Sequence, residues 1–444
     1  MRHLVLVIPL FLFAACQRPF VATTTPDIEI IEPDFSTVFS TDETLLRVRA
    51  SSFRDVPLVQ IDGQPMSFNR EQNAWESRLQ LGIGLNSFVL TAFDTEGVFQ
   101  TDTLSAVRFP LQFSAASIVM PVSTAHHTAT LLRGETLFTG GAASAGGPAL
   151  SDAFTLRFGD AGPVPIDPGL KIARTGHTAT LMPDGRVLIM GGSRSDNLTE
   201  VNQLVEAPEV FNPVTRTFSV VPVSGEPIRR ELHTAILRQT AIGPVVDLLG
   251  GRGDIQYRPT ARLGTRSDLR SFLFRNDSLI ALSPAPGPII EAIAGQTETA
   301  TTPVDQGEFG RYLVSGSFFD SRTGTPDETS LILDYRNTSI GLRISETEHP
   351  FFARTGHSAI GVRPGFVLLL GGQQAAPNQL VDTPELYVDS VGKYFRFPDT
   401  MDTSPLRRTG HSATFVGPSR ILLVGGFGAD GTALPSTEFI DFEF

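Results

Sequence analysis

Five of the eight histidines in this 444-residue chain recur in one short pattern, which makes them the first candidates for chemistry. Each begins a His-Thr-Ala or His-Ser-Ala triplet that a Gly-Gly pair follows; the five are His127, His177, His233, His357 and His411. Imidazoles hold zinc only when several ligands converge at about 2.0–2.2 Å. Equivalent residues of successive repeats lie further apart than that. We therefore expect no metal and no cofactor, and a hydrogen bond from each histidine to the backbone of its own repeat.

An arginine precedes the histidine by three residues in four of the repeats; the four are Arg174, Arg230, Arg354 and Arg408. Guanidinium groups bind carboxylates and phosphates through paired N–H donors, and a confined cluster concentrates positive potential. If the repeats close into a ring, these arginines lie near one mouth of its central channel. One hypothesis is therefore that they bind an anionic group there: an acidic peptide, a uronate or sialylated glycan, or a phosphate. The other is that each arginine satisfies loop carbonyls or an adjacent acid. The sequence leaves both open.

The spacing of the pattern predicts the elements that carry it. Successive histidines are 50, 56, 124 and 54 residues apart, and the long interval contains a degenerate copy at Glu298-Thr299-Ala300. Six copies of roughly 55 residues have the length of four-stranded propeller blades. In each copy the histidine triplet begins the first strand and the second strand runs into the glycines. The third strand carries Glu-x-Phe or Glu-x-Tyr, as at residues 209–211 and 385–387.

This pattern resembles the kelch repeat. The resemblance implies an all-β protein in which residues 107–444 form a six-bladed kelch-type β-propeller. The sixth copy ends after its third strand, at residues 437–442, and an unassigned strand precedes the first copy at residues 109–114. We predict that these two strands pair, because such pairing leaves no open seam in the ring.

The first residues predict export. Arg2 and His3 precede an apolar run that ends at Phe13, and Ala14-Ala15-Cys16 follows, as in a secretory signal. The segment resembles the bacterial lipobox, which implies a signal peptide at residues 1–15, a lipid on Cys16 and an outer-membrane location facing the periplasm or the surface. A plain secretory signal is the alternative. Cys16 is the only cysteine, so the chain has no internal disulfide.

Residues 16–25 are expected to form a tether, and residues 26–106 alternate in period two with turn signals between the runs. The segments around Trp75, Gly82 and Asp94 resemble bacterial immunoglobulin-like modules. The resemblance implies a small β-sandwich that acts as a spacer, with Trp75 in or near its core.

Charge and cysteine content exclude two function classes. With 35 basic against 47 acidic residues, the net charge of −12 argues against a general nucleic-acid binder. Galactose-oxidase-like enzymes also join a kelch propeller to an immunoglobulin-like module, but they need a cysteine crosslinked to a tyrosine, and Cys16 lies in the export signal. Arg252-Gly253-Asp254 spells an integrin-binding tripeptide, which we attribute to chance.

We therefore predict a lipid-anchored cell-envelope binding or scaffold protein, without enzymatic activity, that engages a protein or an anionic glycan. Two alternatives stay open. One is a periplasmic kelch-type sugar-modifying enzyme similar to the sialic-acid epimerases, and the other is a structural component of the envelope.

Overall fold

A computed structural model of the chain describes residues 25–52, 54–157, 159–160, 162–255, 263–266, 268–282, 297–300, 310–316, 318–319, 326–327, 330–336, 342–374 and 379–443. Strands dominate these residues, and their only helical structure is two 3-10 turns, Val201–Gln203 and Ser404–Leu406. The chain divides into two compact units: the first runs up to Phe35 and adds Glu43–Leu81 and Asn86–Ser105, and the second comprises Ser36–Asp42, Gly82–Leu85 and Ala106–Phe444. None of the described helices has the length and apolar content to cross a membrane.

The first eight strands are β1 Asp27–Glu32, β2 Glu43–Ser51, β3 Leu58–Ile61, β4 Gln64–Pro65, β5 Ser67–Asn69, β6 Ala74–Gln80, β7 Gly84–Phe93 and β8 Phe99–Arg108. They form two four-stranded antiparallel sheets, ordered β1-β2-β6-β5 and β4-β3-β7-β8. These strands lie in the first unit except for the start of β7 and the end of β8, which belong to the ranges of the second. Leu46 and Val48 alternate with polar residues along β2 and are fully buried. Trp75 pairs with Val48 on one side and Phe68 on the other, so it lies in the same inward-facing row.

The second unit begins with β9, Leu111–Ala115, and continues with two sheets of four strands. Sheet 1 consists of β10 Thr128–Leu131, β11 Thr136–Thr139, β12 Ala153–Leu156 and β13 Val164–Pro165. Sheet 2 consists of β14 Thr178–Leu181, β15 Val187–Met190, β16 Glu209–Asn212 and β17 Thr217–Val220.

Sheet 3 has a fifth, parallel strand at its outer edge and the order β18-β25-β24-β21-β20, and a small sheet β19-β22-β23 lies beside it in sequence. The strands are β18 Val223–Ser224, β19 Arg230–Glu231, β20 Thr234–Thr240, β21 Gly243–Leu249, β22 Arg252–Asp254, β23 Leu263–Thr265, β24 Leu269–Arg275 and β25 Ser278–Ala281. Sheet 4 has the order β26-β27-β30-β31, with a separate pair β28-β29. The strands are β26 Thr297–Ala300, β27 Arg311–Ser315, β28 Phe318–Phe319, β29 Pro326–Asp327, β30 Ser330–Asp334 and β31 Arg343–Thr347.

The degenerate copy predicted around Glu298 is thus confirmed as the first strand of sheet 4. Sheet 5 consists of β32 Ser358–Arg363, β33 Phe366–Leu370, β34 Glu385–Val388 and β35 Lys393–Arg396. Sheet 6 has β36 Ser412–Gly417, β37 Arg420–Val424 and β38 Thr437–Phe442, and its fourth strand is β9.

Sheets 1 to 6 contact one another in cyclic order and so close a ring. The first strand of each sheet contacts the first strand of the next, from β10 through β14, β20, β26, β32 and β36 and back to β10. β9 pairs antiparallel with β38, from Leu111 opposite Phe442 to Ala115 opposite Glu438. The predicted pairing of the N-terminal strand with the last strand is confirmed.

The second strand of each sheet is apolar because neighbouring sheets cover both of its faces. In β15, Leu188 and Met190 pack with the apolar residues of sheet 3, whereas Val187 and Ile189 pack with those of sheet 1. Alternate residues of one strand therefore belong to two different inter-sheet cores, which places the hydrophobic interior between the sheets.

Candidate functional site

One end of the ring, which we call the loop face, carries the segments that precede each first strand and the loops that join each second strand to the third. Short bridges hold these segments to the loops, for example between Ala125 and Ala142 and between Thr175 and Ser193. Adjacent loops are bridged as well, since Pro148 of sheet 1 pairs with Ser195 of sheet 2. Residues from several sheets therefore meet at this end.

The four arginines singled out in the sequence lie beneath the loop face with their guanidinium groups buried. The most exposed of them shows 3% of its surface. Arg174 donates hydrogen bonds to the carbonyl oxygens of Gly191 (3.1 Å) and Ala207 (3.0 Å). It also forms an ion pair with Glu209 at 2.6 Å, in which neither side chain is exposed. All of these partners belong to its own sheet.

Arg354 repeats the arrangement in sheet 5. It donates to the carbonyl oxygens of Gly371 and Thr383 at 3.1 Å each and forms a buried ion pair with Glu385. Glu385 also accepts hydrogen bonds from the backbone N–H groups of Phe351 and Phe352. The glutamate of the repeated third strand is thus the partner of the repeated arginine.

Arg230 and Arg408 are held in related ways. Arg230 donates to the carbonyl oxygen of Gly250 at 3.1 Å and lies 3.2 Å from the carboxylate of Asp268. Arg408 donates to the carbonyl oxygen of Gly425 at 3.0 Å, and its nearest carboxylate, that of Glu438, is 3.9 Å away. The hypothesis of an anion-binding arginine cluster is therefore wrong: burial and internal hydrogen bonds commit these groups to joining the strands and loops of single sheets.

The five pattern histidines are buried, and all but His411 join adjacent sheets through a side-chain hydroxyl. The Nε2 atom of His177 lies 3.0 Å from the Thr139 hydroxyl of sheet 1, and that of His233 lies 3.1 Å from the Thr178 hydroxyl of sheet 2. His127 reaches the Ser412 hydroxyl of sheet 6 at 2.8 Å. We expected each histidine to bond to the backbone of its own repeat, and His127 and His411 do so, at Thr124 and Arg408. The expectation is corrected for His177, His233 and His357, whose imidazoles contact hydroxyls of the preceding sheet.

Burial keeps these imidazoles neutral. It lowers the pKa of His127 to about 4, and burial together with the charge of Arg354 lowers that of His357 to about 3. The pKa values of His177, His233 and His411 fall well below the ordinary value, because of burial first and the neighbouring arginine second.

The residue directly before each pattern histidine has a left-handed backbone and links adjacent sheets. Gly176, Gly356 and Gly410 have φ of +63°, +62° and +67° at this position. Sheet 1 has His126 there (φ +53°) and sheet 3 has Leu232 (φ +49°). The N–H of His126 donates to the carbonyl oxygen of Gly410, the N–H of Gly176 to that of His126, and the N–H of Leu232 to that of Gly176.

The two residues that replace glycine are therefore neighbours around the ring, on either side of Gly176. A left-handed conformation costs a residue with a side chain about 1–2 kcal/mol more than glycine. Such strain is concentrated at functional sites. His126 and Leu232 thus distinguish sheets 1 and 3 from sheets 2, 5 and 6, which have glycine at this position.

His126 forms a titratable pair with Asp196, which lies in the loop of sheet 2. The two side chains meet at 2.6 Å between Nδ1 and Oδ1, and they expose 21% and 10% of their surface. The second carboxylate oxygen of Asp196 accepts the N–H of Gly146. Burial alone would lower the pKa of His126, but the hydrogen bond and charge of Asp196, together with the charge of Glu231, raise it above its ordinary value.

Glu231 supplies a second acid in the same sector. It precedes Leu232 at a position where sheets 2, 5 and 6 have threonine, and it is 3% exposed. Its carboxylate accepts a hydrogen bond from Ser193 at 2.5 Å and lies 3.6 Å from Arg252, whose side chain is 41% exposed. Burial raises the pKa of Glu231 above its ordinary value in spite of these partners.

The repeat pattern did not predict this cluster as a site. We name the four residues His126, Asp196, Glu231 and Arg252 the sector cluster. The signal was present as departures from the repeat, His126 in place of glycine and Glu231-Leu232 in place of threonine and glycine. The tripeptide at residues 252–254 offers no free carboxylate, because Asp254 is buried and paired with Arg229. Within the described ranges no three His, Cys, Asp or Glu side chains are grouped to hold a metal ion.

No protein-family profile and no curated protein sequence matches the chain. Among solved structures it is similar to the structure of YjhT, with a TM-score of 0.52 and 13% identity over 73% of this chain and 99% of that one. The fold is a kelch-type β-propeller. The buried arginine–glutamate pairs and inter-sheet histidines are thus the internal connections of a propeller, and the sector cluster lies on its loop face.

Proposed function

We propose that this chain is an exported envelope lipoprotein whose six-bladed propeller binds a protein or glycan ligand at the sector cluster. Cys16 carries the lipid, and the first unit is an immunoglobulin-like spacer that separates the propeller from the outer membrane. The observation that supports the site is the coincidence of two breaks in the repeat with a group of four charged side chains.

Retention of strained and buried polar residues argues for a role other than folding. Glycine at position 126 would follow the pattern of sheets 2, 5 and 6 and would avoid a positive φ at a residue that carries an imidazole. Threonine at position 231 would follow the same pattern and would avoid a buried carboxylate. Residues that work against stability in this way are concentrated at functional sites. Both substitutions act at the same place on the ring, which is what one ligand site requires.

The chemistry of the cluster suits a ligand with both hydroxyl and carboxylate groups. Arg252 and protonated His126 supply charged N–H donors, and guanidinium groups bind carboxylates through paired hydrogen bonds. Asp196 supplies an acceptor for hydroxyl groups, and the buried Glu231 holds the exposed Arg252 in place through their 3.6 Å ion pair. A uronate or sialylated glycan offers both kinds of group, and an acidic peptide offers the carboxylates alone.

The test of the site is a binding comparison with a variant that restores the repeat pattern. The double variant His126→Gly, Glu231→Thr carries at both positions the residue type found in sheets 2, 5 and 6, so we expect it to fold. Purified protein and variant are applied to an array of anionic glycans and acidic peptides. Asp277→Asn, on an exposed turn at the opposite end of sheet 3, is the matched control.

We expect ligands that the unaltered protein and the Asp277 variant both retain and that the double variant loses, with weaker binding at high salt. Equal binding by all three proteins would refute the assignment of the site. The anchor is tested separately: Cys16→Ser is expected to release the protein from the membrane fraction, and mass spectrometry of the unaltered protein is expected to find the lipid on residue 16.

A second candidate, a sugar-modifying enzyme, is favoured by one observation. His126 and Glu231 lie in the same sector, and both have pKa values above their ordinary ones. Neighbouring groups with shifted pKa values are typical of sites that exchange protons with a substrate. Proton NMR of any sugar found on the array distinguishes the two candidates. If the signals of a second sugar isomer increase in the presence of the unaltered protein but not of the double variant, the function is enzymatic and not binding alone.

A further inference from the structure

A second surface of the propeller, which shares no residue with the sector cluster, lies on the outer edge of sheet 6. In β9 the backbone N–H and C=O groups of the even-numbered residues point toward β38. The hydrogen bonds on either side of β9 show this: the N–H of Ala116 donates to the carbonyl oxygen of Thr437, and the carbonyl oxygen of Pro110 accepts from the N–H of Glu443. The backbone groups of Leu111, Phe113 and Ala115 therefore point away from the sheet. No hydrogen bond to these backbone groups is present among the described residues.

Directly before β9, the chain already pairs with an extended segment of the second unit. Phe39 donates to the carbonyl oxygen of Val107, at the end of β8, at 2.8 Å and accepts from the N–H of Phe109 at 3.0 Å. Residues 107 and 109 precede 111, 113 and 115 in the same odd-numbered series. The chain therefore accepts an added extended segment up to Phe109, whereas the outward side of β9 that follows is open among the described residues.

The open half borders a groove of about 360 Å³. Its lining consists of β9 with Met401, Asp402, Pro405 and Glu438. Leu111 and Phe113 pack against the core between sheets 5 and 6. This packing holds β9 in the extended conformation with which another strand can pair. The lining has two carboxylates and no basic side chain. Arg408 lies 3.9 Å from Glu438 but is buried, so the exposed charge of the lining favours a cationic occupant.

We propose that the edge of β9 binds an extended, basic peptide segment of a partner protein by β-strand addition. Main-chain hydrogen bonds to residues 111, 113 and 115 hold the segment, as in other edge-binding modules. Lysine or arginine side chains meet Asp402 and Glu438. Pairing with the β9 edge of a second copy would bring the carboxylates of both copies together, so the charge disfavours it.

The test uses two short capped peptides, one alternating valine with lysine and one alternating valine with glutamate, added to the full chain. We expect the lysine peptide to slow amide hydrogen exchange at residues 111, 113 and 115. Its Kd should be about threefold to tenfold lower than that of the glutamate peptide, the range that one or two exposed charge pairs supply. Asp402→Asn should remove most of that difference.

Ala115→Pro removes an outward N–H that the sheet does not use, so we expect it to abolish peptide binding with an unchanged urea midpoint. Ala115→Val keeps that N–H and is the control. Equal binding of both peptides, or binding that survives Ala115→Pro, would overturn the proposal. If neither peptide binds and the protein self-associates in a way that Ala115→Pro abolishes, the proposal is overturned and the occupant of the edge is a second copy of this chain. The outcome does not depend on the sector cluster, whose variants leave β9 intact.

Discussion

Acid should unfold the propeller before the first unit, because the five pattern histidines are buried without charge. A base whose pKa is lower in the folded than in the unfolded state contributes stability that is complete above its unfolded pKa and is lost as the pH falls. The unfolded value for histidine is about 6.5. The folded values are about 4 for His127 and about 3 for His357, and those of the other three lie well below 6.5.

The magnitude follows from proton linkage. At pH 5 an unfolded histidine gains about 2 kcal/mol from a proton that the folded residue does not bind. Five such residues cost the folded propeller about 10 kcal/mol, which is comparable to the entire stability of about 5–15 kcal/mol that is typical of a domain. Protonation of His126 beside Asp196 acts in the opposite direction but involves one residue only.

The chain carries its own reporters for this experiment. Trp75 is the only tryptophan and lies in the first unit, which has no histidine between residues 25 and 105, whereas all five tyrosines lie in the second unit. Urea unfolding is followed from pH 7.5 to pH 5 by tryptophan fluorescence and by the near-ultraviolet circular dichroism of tyrosine. We expect the tyrosine midpoint to fall steeply below pH 6.5 and the tryptophan midpoint to change little.

His233→Gln removes one of the five proton-binding groups. It should reduce the dependence of stability on pH by about 1.4 kcal/mol per pH unit in the acid range. A tyrosine midpoint that stays constant between pH 7.5 and pH 5, or one that falls together with the tryptophan midpoint, would refute the assignment of buried neutral histidines.

The buried ion pairs and the left-handed glycines give two further predictions, both read from the tyrosine-detected urea midpoint. Arg354→Ala leaves the carboxylate of Glu385 buried without its partner and should cost about 3–5 kcal/mol. Arg408→Ala should cost less, because its nearest carboxylate is 3.9 Å away and partly exposed; equal losses would contradict the argument. Gly356→Ala places a Cβ atom 2.3 Å from the Thr409 hydroxyl at φ +62° and should cost about 1–3 kcal/mol. Gly185→Ala, also at positive φ but with no atom within 4 Å of the new Cβ, should cost less, and the reverse order would show that the contact does not matter.

Most of the propeller could be read from the chain because its repeat is a local pattern. The triplets and glycine pairs marked the first two strands of each sheet, and the degenerate copy around Glu298 was found from spacing alone. The pairing of β9 with β38 followed from counting strands at the two ends. Each of these inferences needed only the order and spacing of residues along the chain.

The candidate site could not be read in the same way. The four arginines were predicted as a site because they recur at one repeat position, but residues at equivalent positions need not meet in space. The sequence also did not show that the glutamate of the third strand would neutralise Arg174 and Arg354. Conversely, His126 and Asp196 are 70 residues apart and belong to different repeats. Their contact depends on how two irregular loops fold over the ring.

The sequence by itself therefore determined most of the strands of the propeller and their grouping, since strand period and turn residues act over short distances. The export signal at the N-terminus stays a prediction. The tertiary structure decided which charges are paired inside and which meet at the loop face. Burial and partner distance set the energy of a charged group, and both depend on the arrangement of neighbouring sheets. That is why the repeated residues proved to be the scaffold, and why the exceptions to the repeat became the candidate site.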